Sequence, residues 1–420
     1  MNEPNRGRAQ RHRRTLWLRL LPLYCSAFLG GVSLWAPIEK LFMVSIGFDA
    51  ASLGVMAALY ALVVPVCEVP SGILADRWSR RGVLLLAVLA AAVSVIIGAL
   101  SHNVASYIVS ALFLGLYFAL QSGTVDAVAY DTVLEETGSS DTFEVVIGRF
   151  RLVESAALLG SALLGAALAD LLSLRATYLL TLIPLAGAAL ALLRFREPRL
   201  HRLENPEPFR RQLTAAYGAV LRRGPLRQIV VLLVLAAVLL QSMLEFGPWW
   251  LVVLEAPTIG YGLHWAGLTA ALGLGGLLGS SRAAAGRGGL LLTALAVAAA
   301  VTLSLSGSLP VVIVAQIMLA TAMVAIGIPL TRRLHDALDS SVRTSVASGV
   351  GALSWLAFVP FALVLGQLSQ QAGVGPAGGV LAVTVAVVGA TLLGLIRIDR
   401  REPISHHPGT DERKNHDSAR

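Results

Sequence analysis

The sequence predicts an all-α membrane protein with twelve transmembrane helices in two pseudo-symmetric six-helix bundles. Its composition, its regular succession of apolar runs and the confinement of charge to the segments between those runs all point to this fold. Hydrophobic residues make up 56% of the 420 residues, charged residues make up 14%, and the mean hydropathy is +0.72. A soluble domain carries about 25% charged residues, so this composition excludes an ordinary soluble domain.

Each apolar run is long enough to cross a bilayer as a helix, which takes about 20 residues. Helices are predicted rather than strands because a chain in lipid must satisfy its backbone polar groups internally. The predicted spans of the first bundle cover residues 15–38, 50–74, 82–101, 104–131, 146–170 and 174–193. Those of the second bundle cover residues 228–254, 263–281, 288–306, 309–331, 345–368 and 375–397.

Charged segments divide the chain into four parts. The two bundles take residues 1–193 and 228–401, and a charged linker takes residues 194–227. Apolar residues recur in this linker at helical spacing opposite arginines, which predicts a short amphipathic helix on the inner membrane surface. The polar residues 402–420 predict a disordered cytoplasmic tail.

The basic residues are distributed unevenly between the two sides of the predicted membrane. Of 33 Lys and Arg residues, only Lys40 and Arg175 fall in loops on one side. Because basic loops stay in the cytoplasm, we expect a multi-pass protein of the cell (inner) membrane with both termini cytoplasmic. The net charge of +8 is spread over the ends of apolar runs, which argues against nucleic acid as a partner.

A charged hairpin between the second and third spans carries the clearest motif. Residues 72–81 read Gly-Ile-Leu-Ala-Asp-Arg-Trp-Ser-Arg-Arg. This resembles the signature loop of major facilitator superfamily transporters, G-x-L-A-D-R-x-G-R-R/K, with Ser79 in place of the second glycine. The preceding residues 68–71 resemble a bacterial branch of small-molecule efflux proteins. The resemblance implies two six-helix halves, a monomer and no cofactor.

The resemblance also implies a gating role for this loop. In the family, the loop aspartate lies near the start of helix eleven and pairs with charges there. The matching residue is Asp76, and its expected partner is Arg343 at the start of the eleventh span. Such a cluster would lock the outward-facing state and break when the halves rock. The predicted gating residues are Gly72, Asp76, Arg77, Arg80, Arg81 and Arg343.

Polar residues inside the spans follow a pattern of their own. Spans three, six, nine and twelve contain no Asp, Glu, Lys, Arg, Asn or Gln within their apolar runs. An ionised group near the bilayer centre costs about 2.5–3.5 kcal/mol, so the acids of the other spans must face protein or a wet cavity. The candidates for coupling or substrate contact in a central cavity are Glu245, Gln241, Asp126, Gln121, Gln316, Trp355 and Tyr130.

Glu245 is the first candidate because it lies near the middle of span seven, one turn after Gln241. A carboxyl that binds and releases a proton near the midplane can couple proton movement to a conformational change. The alternative is a structural acid that forms a hydrogen bond between helices. Trp355 lies near the middle of span eleven, where it either stacks on a hydrophobic substrate or packs as bulk.

Acidic residues of span four face basic residues at the start of span five. We expect Asp131, Arg149, Arg151 and Glu154 to form an ion-pair cluster at the inner end, because a lone buried charge is costly. Asp126 belongs either to this cluster, as part of an inner gate, or to a proton or cation site.

Motifs of other functional classes are missing from the sequence. It contains no G-x-x-x-x-G-K-S/T, no H-E-x-x-H and no G-x-S-x-G, so no nucleotide site, metal site or enzyme is predicted. The predicted function is secondary active transport: proton-coupled efflux of a small, lipophilic molecule by alternating access, with protons and membrane lipids as partners. The alternatives are a proton-coupled nutrient importer and a transporter-like scaffold or accessory membrane protein without flux.

Overall fold

The computed structural model describes residues 3–139, 141–198, 224–281, 287–338 and 340–401. Every regular element in these ranges is a helix. Residues 199–223, which hold the predicted amphipathic linker helix, and the predicted tail 402–420 lie outside the described residues. The all-helical part of the prediction is therefore confirmed for the ranges that the structure describes.

The helices fall into two sets, before and after the gap at residues 199–223. The described N-terminal half contains α1 (Glu3–Gly31), α2 (Glu39–Ser45), α3 (Ala50–Arg77), α4 (Arg80–Leu100), α5 (Val104–Gln121), α6 (Thr124–Thr137), α7 (Phe143–Leu171) and α8 (Leu174–Arg194). The described C-terminal half contains α9 (Gly224–Val253), α10 (Thr258–Ser280), α11 (Arg287–Leu305), α12 (Leu309–Asp336), α13 (Ser340–Ala372) and α14 (Val374–Arg401). A short 3-10 turn, Ala36–Ile38, precedes α2.

By length and composition, 11 helical segments of the described chain can cross a membrane. One of them, Val104–Thr137, consists of α5 and α6 together. The predicted eighth span corresponds to α10, a glycine-rich helix of 23 residues that falls outside this set. Counting α10, which is long enough to span a membrane but less apolar, brings the number of crossings to the predicted twelve.

The predicted span 104–131 is not one continuous helix. It breaks after Gln121, where Gly123 adopts a φ of 69°. This left-handed conformation favours glycine because a Cβ would be strained there. Ser122, also in the break, donates a hydrogen bond to Glu68 Oε1 at 3.0 Å. Glycine accommodates this break, which the apolar pattern alone does not reveal.

The two halves approach closely near one end of the molecule. A Cβ added to Gly54 of α3 would lie 2.7 Å from the carbonyl oxygen of Ala362 in α13. Likewise, a Cβ on Gly262 of α10 would lie 2.7 Å from the carbonyl oxygen of Ala162 in α7. We call this end, which carries α2, the Lys40 end. The opposite end, which carries the loop between α3 and α4, is the Arg80 end.

Candidate functional site

A buried lysine joins the two halves at the Lys40 end. Its Nζ lies 2.5 Å from Glu39 Oε2 and 3.1 Å from Glu245 Oε2. Lys40 is only 1% exposed. Glu39 and Lys40 belong to α2 in the N-terminal half, whereas Glu245 belongs to α9 in the C-terminal half. We call these three residues the lysine cluster, and its bridge is a direct polar contact between the halves.

Each carboxylate of the lysine cluster has a second, uncharged partner. The Tyr107 hydroxyl donates to Glu39 Oε1 at 2.8 Å, and it also lies 2.8 Å from the Tyr178 hydroxyl. Gln241 Nε2 donates to Glu245 Oε1 at 3.3 Å. The structure thus brings together Glu245 and Gln241, two residues that the sequence predicts as neighbours one turn apart.

The sequence reasoning missed Lys40 and Glu39. It placed Lys40 in a loop outside the membrane, but the turn at Ala36–Ile38 leads α2 back against the bundle, where Lys40 is buried. It also placed Glu245 near the middle of its span, whereas α9 continues only eight residues further, to Val253. The available signal was a Glu-Lys pair inside an otherwise apolar stretch, since such charges are costly in a membrane unless they are paired.

Two aromatic rings also meet between the halves. Tyr60 of α3 and Trp355 of α13 pack edge to face, with ring centroids 5.6 Å apart. Tyr60 lies within electrostatic range of Glu245, and Trp355 is half-buried. This pair is a second contact between the halves, in addition to the lysine cluster.

At the Arg80 end, the loop between α3 and α4 is bound to other parts of the N-terminal half. The Arg80 guanidinium donates to the Asp131 carboxylate and, at 3.3 Å, to the Ala127 carbonyl oxygen in α6. Ser79 Oγ donates to Glu197 Oε2 at 2.6 Å, and the Arg80 amide donates to Glu197 Oε1 at 2.5 Å. The serine that replaces the family glycine therefore binds the segment that follows α8.

The predicted gating pair of Asp76 and Arg343 stays a prediction, because both side chains lie outside the described part of the structure. The other loop residues are placed. Gly72 and Arg77 are exposed. Arg81 Nη1 donates to the Phe195 carbonyl oxygen at 3.2 Å.

The structure divides the predicted ion-pair cluster of α6 and α7. Arg151 Nη2 lies 3.6 Å from Asp126 Oδ1, and Arg151 Nη1 lies 3.2 Å from Glu154 Oε2. Asp131 instead binds Arg80, and Arg149 is exposed. Asp126 and Asp131 are five residues apart, so an α-helix directs them about 140° away from each other. The structure therefore brings Arg151 together with Asp126 and Glu154, and it pairs Asp131 with Arg80 instead.

The remaining candidates have partners or surroundings other than the lysine cluster. Gln316 is fully buried inside the C-terminal half, where its Oε1 lies 2.5 Å from His264 Nε2 and its Nε2 donates to the Gly247 carbonyl oxygen at 3.2 Å. Gln121 lines a small cavity within the N-terminal half. Tyr130 is 39% exposed. Within the described residues, no group of three or more His, Cys, Asp or Glu side chains is arranged to hold a metal ion.

Comparison with known proteins agrees with this architecture. Among solved structures, the nucleoside transporter NupG superimposes with a TM-score of 0.72 at 14% identity, covering 91% of this chain and 99% of that one. A bacterial homolog of the human lysosomal transporter Spinster, inward-facing and unoccupied, gives a TM-score of 0.73 at 13% identity, covering 93% and 98%. A D-xylose-proton symporter gives 0.66 at 14% identity, covering 88% and 96%.

The likeness to these structures extends over nearly the whole chain, and at such low identities it establishes the fold. The sequence itself provides the assignment to a family. The family model described as Major Facilitator Superfamily matches residues 20–348, which is well over half of the chain. The chain therefore belongs to the major facilitator superfamily.

Proposed function

We propose that this transporter exports a small, lipophilic molecule by alternating access, driven by inward proton movement through Glu245. The observation that carries the proposal is the bridge of 3.1 Å between Lys40 and Glu245, which joins the two halves at one end. The positive-inside rule assigns the Lys40 end to the outside of the cell. Asp126 and Arg151 are exposed towards the other end, with side chains 49% and 65% accessible. We therefore interpret the structure as an inward-open state.

Breaking and re-forming the bridge between Lys40 and Glu245 links the change between open and closed states to protonation of Glu245. For the outer end to open, α2 and α9 must separate, which removes Glu245 from Lys40. A carboxylate left without a partner in a poorly solvated site is costly, so a proton from outside neutralises it. When the outer end closes, Lys40 returns to Glu245 and the proton leaves towards the cytoplasm. One proton then moves inward at Glu245 in each cycle.

The surroundings of Glu245 support a lipophilic substrate. Tyr60 and Trp355 present ring faces and edges between the halves, and the neutral Gln241 amide is the nearest polar group on the same helix. Aromatic and apolar surface with few polar groups is typical of pockets for lipophilic ligands. A sugar or nucleoside would need several more hydrogen-bonding side chains.

The test is transport in proteoliposomes with an imposed pH gradient and a panel of lipophilic cations and neutral metabolites. We expect the wild type to move at least one compound against its gradient, and we expect Glu245→Gln to lose this coupling. The matched control is Glu255→Gln, an exposed glutamate ten residues along at the same end, which should keep full coupling. Proton-driven flux that survives in Glu245→Gln would exclude Glu245 as the coupling residue. An absence of flux for the whole panel would favour the scaffold alternative.

The second candidate function is proton-coupled import. Its specific support is the structural likeness to a protein named as a D-xylose-proton symporter. The same proteoliposomes decide between the two. Export requires substrate and protons to move in opposite directions, whereas import requires both to move together. Accumulation of substrate on the side to which protons flow would replace the export proposal with this one.

A further inference from the structure

We infer that the substrate is a monovalent organic cation, an amine with an apolar or aromatic body, that replaces Lys40 as the partner of Glu245. This inference rests on the proposed function and names the substrate class for the same site. Its starting point is that an alkylammonium group, the Lys40 side chain, already occupies the site, with its Nζ 3.1 Å from Glu245 Oε2.

The charges of the lysine cluster leave room for one more cation. Two carboxylates, Glu39 and Glu245, share the single ammonium of Lys40. Their other partners are the Tyr107 hydroxyl and the Gln241 amide, which are neutral. With both carboxylates ionised, the lysine cluster carries one uncompensated negative charge. Such a charge is costly inside a membrane protein, and either a proton or a monovalent substrate can balance it.

The nearby arginine does not balance this negative charge. Arg175, from the start of α8, donates through Nη2 to the Ser101 carbonyl oxygen at 2.7 Å. Its guanidinium also lies over the Phe42 ring, 5.3 Å from the centroid. Arg175 is thus engaged with backbone carbonyls and a ring. Among the residues that the structure describes, the other titratable groups near the cluster are the hydroxyls of Tyr60, Tyr107 and Tyr178, which carry no charge at neutral pH.

The distances indicate which carboxylate receives the cation. Lys40 Nζ is closer to Glu39, at 2.5 Å, than to Glu245, at 3.1 Å. Glu39 precedes Lys40 in the same helix, so the two move together when the halves separate. Glu245 is then the carboxylate that loses its partner. A substrate ammonium that binds Glu245 from the open inner side competes with Lys40, weakens the bridge and favours opening of the outer end.

The aromatic pair beside Glu245 fits the body of such a substrate. A cation within about 6 Å of a tyrosine or tryptophan ring is attracted by the ring quadrupole. The Tyr60 and Trp355 rings, with centroids 5.6 Å apart, belong to different halves, so a substrate that lies against the pair contacts both. Since Glu245 binds either a proton or the cation, the two exclude each other. One monovalent cation out for one proton in makes the exchange electroneutral.

Binding to the purified full-length protein tests the inference with two probes that differ in charge. The probes are 1-naphthylmethylammonium and its neutral analogue 1-naphthylmethanol, followed by naphthalene fluorescence. We expect the wild type to bind the ammonium about tenfold more tightly than the alcohol, a difference of about 1.4 kcal/mol. Lys40→Met removes the competitor and should strengthen ammonium binding about tenfold further. Glu245→Gln should remove the preference for the ammonium, and Glu255→Gln should keep it.

Lys40→Met should strengthen ammonium binding, whereas Glu245→Gln should weaken it. These opposite changes distinguish competition from a structural role, because a disrupted fold would weaken binding in both variants. Should Lys40→Met not fold, the wild type still gives the answer, since acidification should release the ammonium and leave alcohol binding unchanged. Equal binding of ammonium and alcohol by the wild type, or weaker ammonium binding by a folded Lys40→Met, would overturn the inference. If a neutral compound nevertheless shows proton-driven, Glu245-dependent flux, the proposed function stands and only the substrate class is wrong.

Discussion

The Lys40 end and the Arg80 end both carry a buried ion pair, but Lys40–Glu245 connects the two halves, whereas Arg80–Asp131 lies within one half. Lys40 is 1% exposed and bridges the two halves. Arg151 has a side chain that is 65% exposed, and it connects α6 to α7 within one half. Breaking a buried pair costs about 3–5 kcal/mol, whereas an exposed pair contributes about 0–1 kcal/mol. Among the residues that the structure describes, the ion pair that joins the halves therefore lies at the Lys40 end.

The backbone contacts show the same difference. At the Lys40 end, α3 and α13 approach so closely that a Cβ on Gly366 would lie 2.7 Å from the Ala50 carbonyl oxygen. At the Arg80 end, the loop between α3 and α4 is held through side chains, with Glu197 accepting from Ser79 and from the Arg80 amide. One end is closed by packing between halves, and the other is organised by hydrogen bonds inside one half. A conformational cycle that opens the first end can leave the second network intact.

Of the variants considered, Lys40→Met should have the largest effect on closure of the Lys40 end. It leaves Glu39 and Glu245 close together without their cation, and we expect the closed arrangement to lose about 3–5 kcal/mol relative to the open one. Pulsed electron paramagnetic resonance can measure this with spin labels at His102→Cys and Gly307→Cys, which are exposed positions of the two halves at the Lys40 end. The distance distribution should shift to longer values.

The control for this measurement is Arg332→Met, which removes a cation whose side chain is 84% exposed and paired within α12 at 3.7 Å to Asp336. It should leave the label distances unchanged. Native Cys25 and Cys67 are replaced by serine in every sample to make labelling specific. An unchanged distribution in Lys40→Met would show that packing, rather than the bridge, closes this end.

Gly54→Val should produce the next largest effect. Its Cβ would lie 2.7 Å from a backbone oxygen and 3.0 Å from Gly366 Cα, and backbone atoms cannot turn away as a side chain can. Overpacking of this kind costs about 1–3 kcal/mol, which here opposes closure between the halves. The same labels should report a partial shift to longer distances. Gly273→Val, at a helical glycine with open space around its Cβ position, makes the same change in helix propensity and should show no shift.

Glu197→Gln should have a moderate effect that is confined to the Arg80 end. Its carboxylate accepts from Ser79 and from the amide of Arg80, the first residue of α4. Glutamine keeps one of these two acceptor oxygens, so we expect a loss at the low end of the range of about 0.5–2 kcal/mol that helix N-terminal caps contribute. We expect a lower midpoint of thermal unfolding, while the label distances across the Lys40 end stay as in the wild type. If those distances change as well, the Arg80 end is coupled to closure between the halves and the two ends are not separate.

Most of the fold follows from the sequence because the membrane imposes simple rules. Apolar length determines where helices lie, which is why the predicted span 82–101 matches α4 at Arg80–Leu100 within two residues. The break at Gly123 depends on one backbone angle, a φ of 69°. A hydropathy pattern cannot show that angle, since Ser and Gly occur in many unbroken spans.

Less of the site could be predicted, because it depends on contacts between residues far apart in sequence. Gln241 and Glu245 are one helical turn apart, so their spacing in the sequence alone predicts that their side chains are neighbours. Lys40 and Glu245 are separated by 205 residues, and only the packing of α2 against α9 brings them together. Likewise, the motif resemblance located Arg80 in the loop but gave no indication of Glu197, because the serine that binds it departs from the family pattern.

Arg151→Ala should have the smallest effect and completes the comparison of the two ends. Its partners Asp126 and Glu154 lie 3.6 Å and 3.2 Å away, and exposed pairs of this kind contribute about 0.2–1 kcal/mol. The midpoint of thermal unfolding should fall slightly at low salt and match the wild type at about 1 M salt, where the screening length shrinks to about 3 Å. Lys40→Met should keep its larger effect on closure at both salt concentrations, because its bridge is buried. A salt-resistant loss in Arg151→Ala as large as that of Lys40→Met would mean that burial does not distinguish the lysine cluster from this exposed pair in energy.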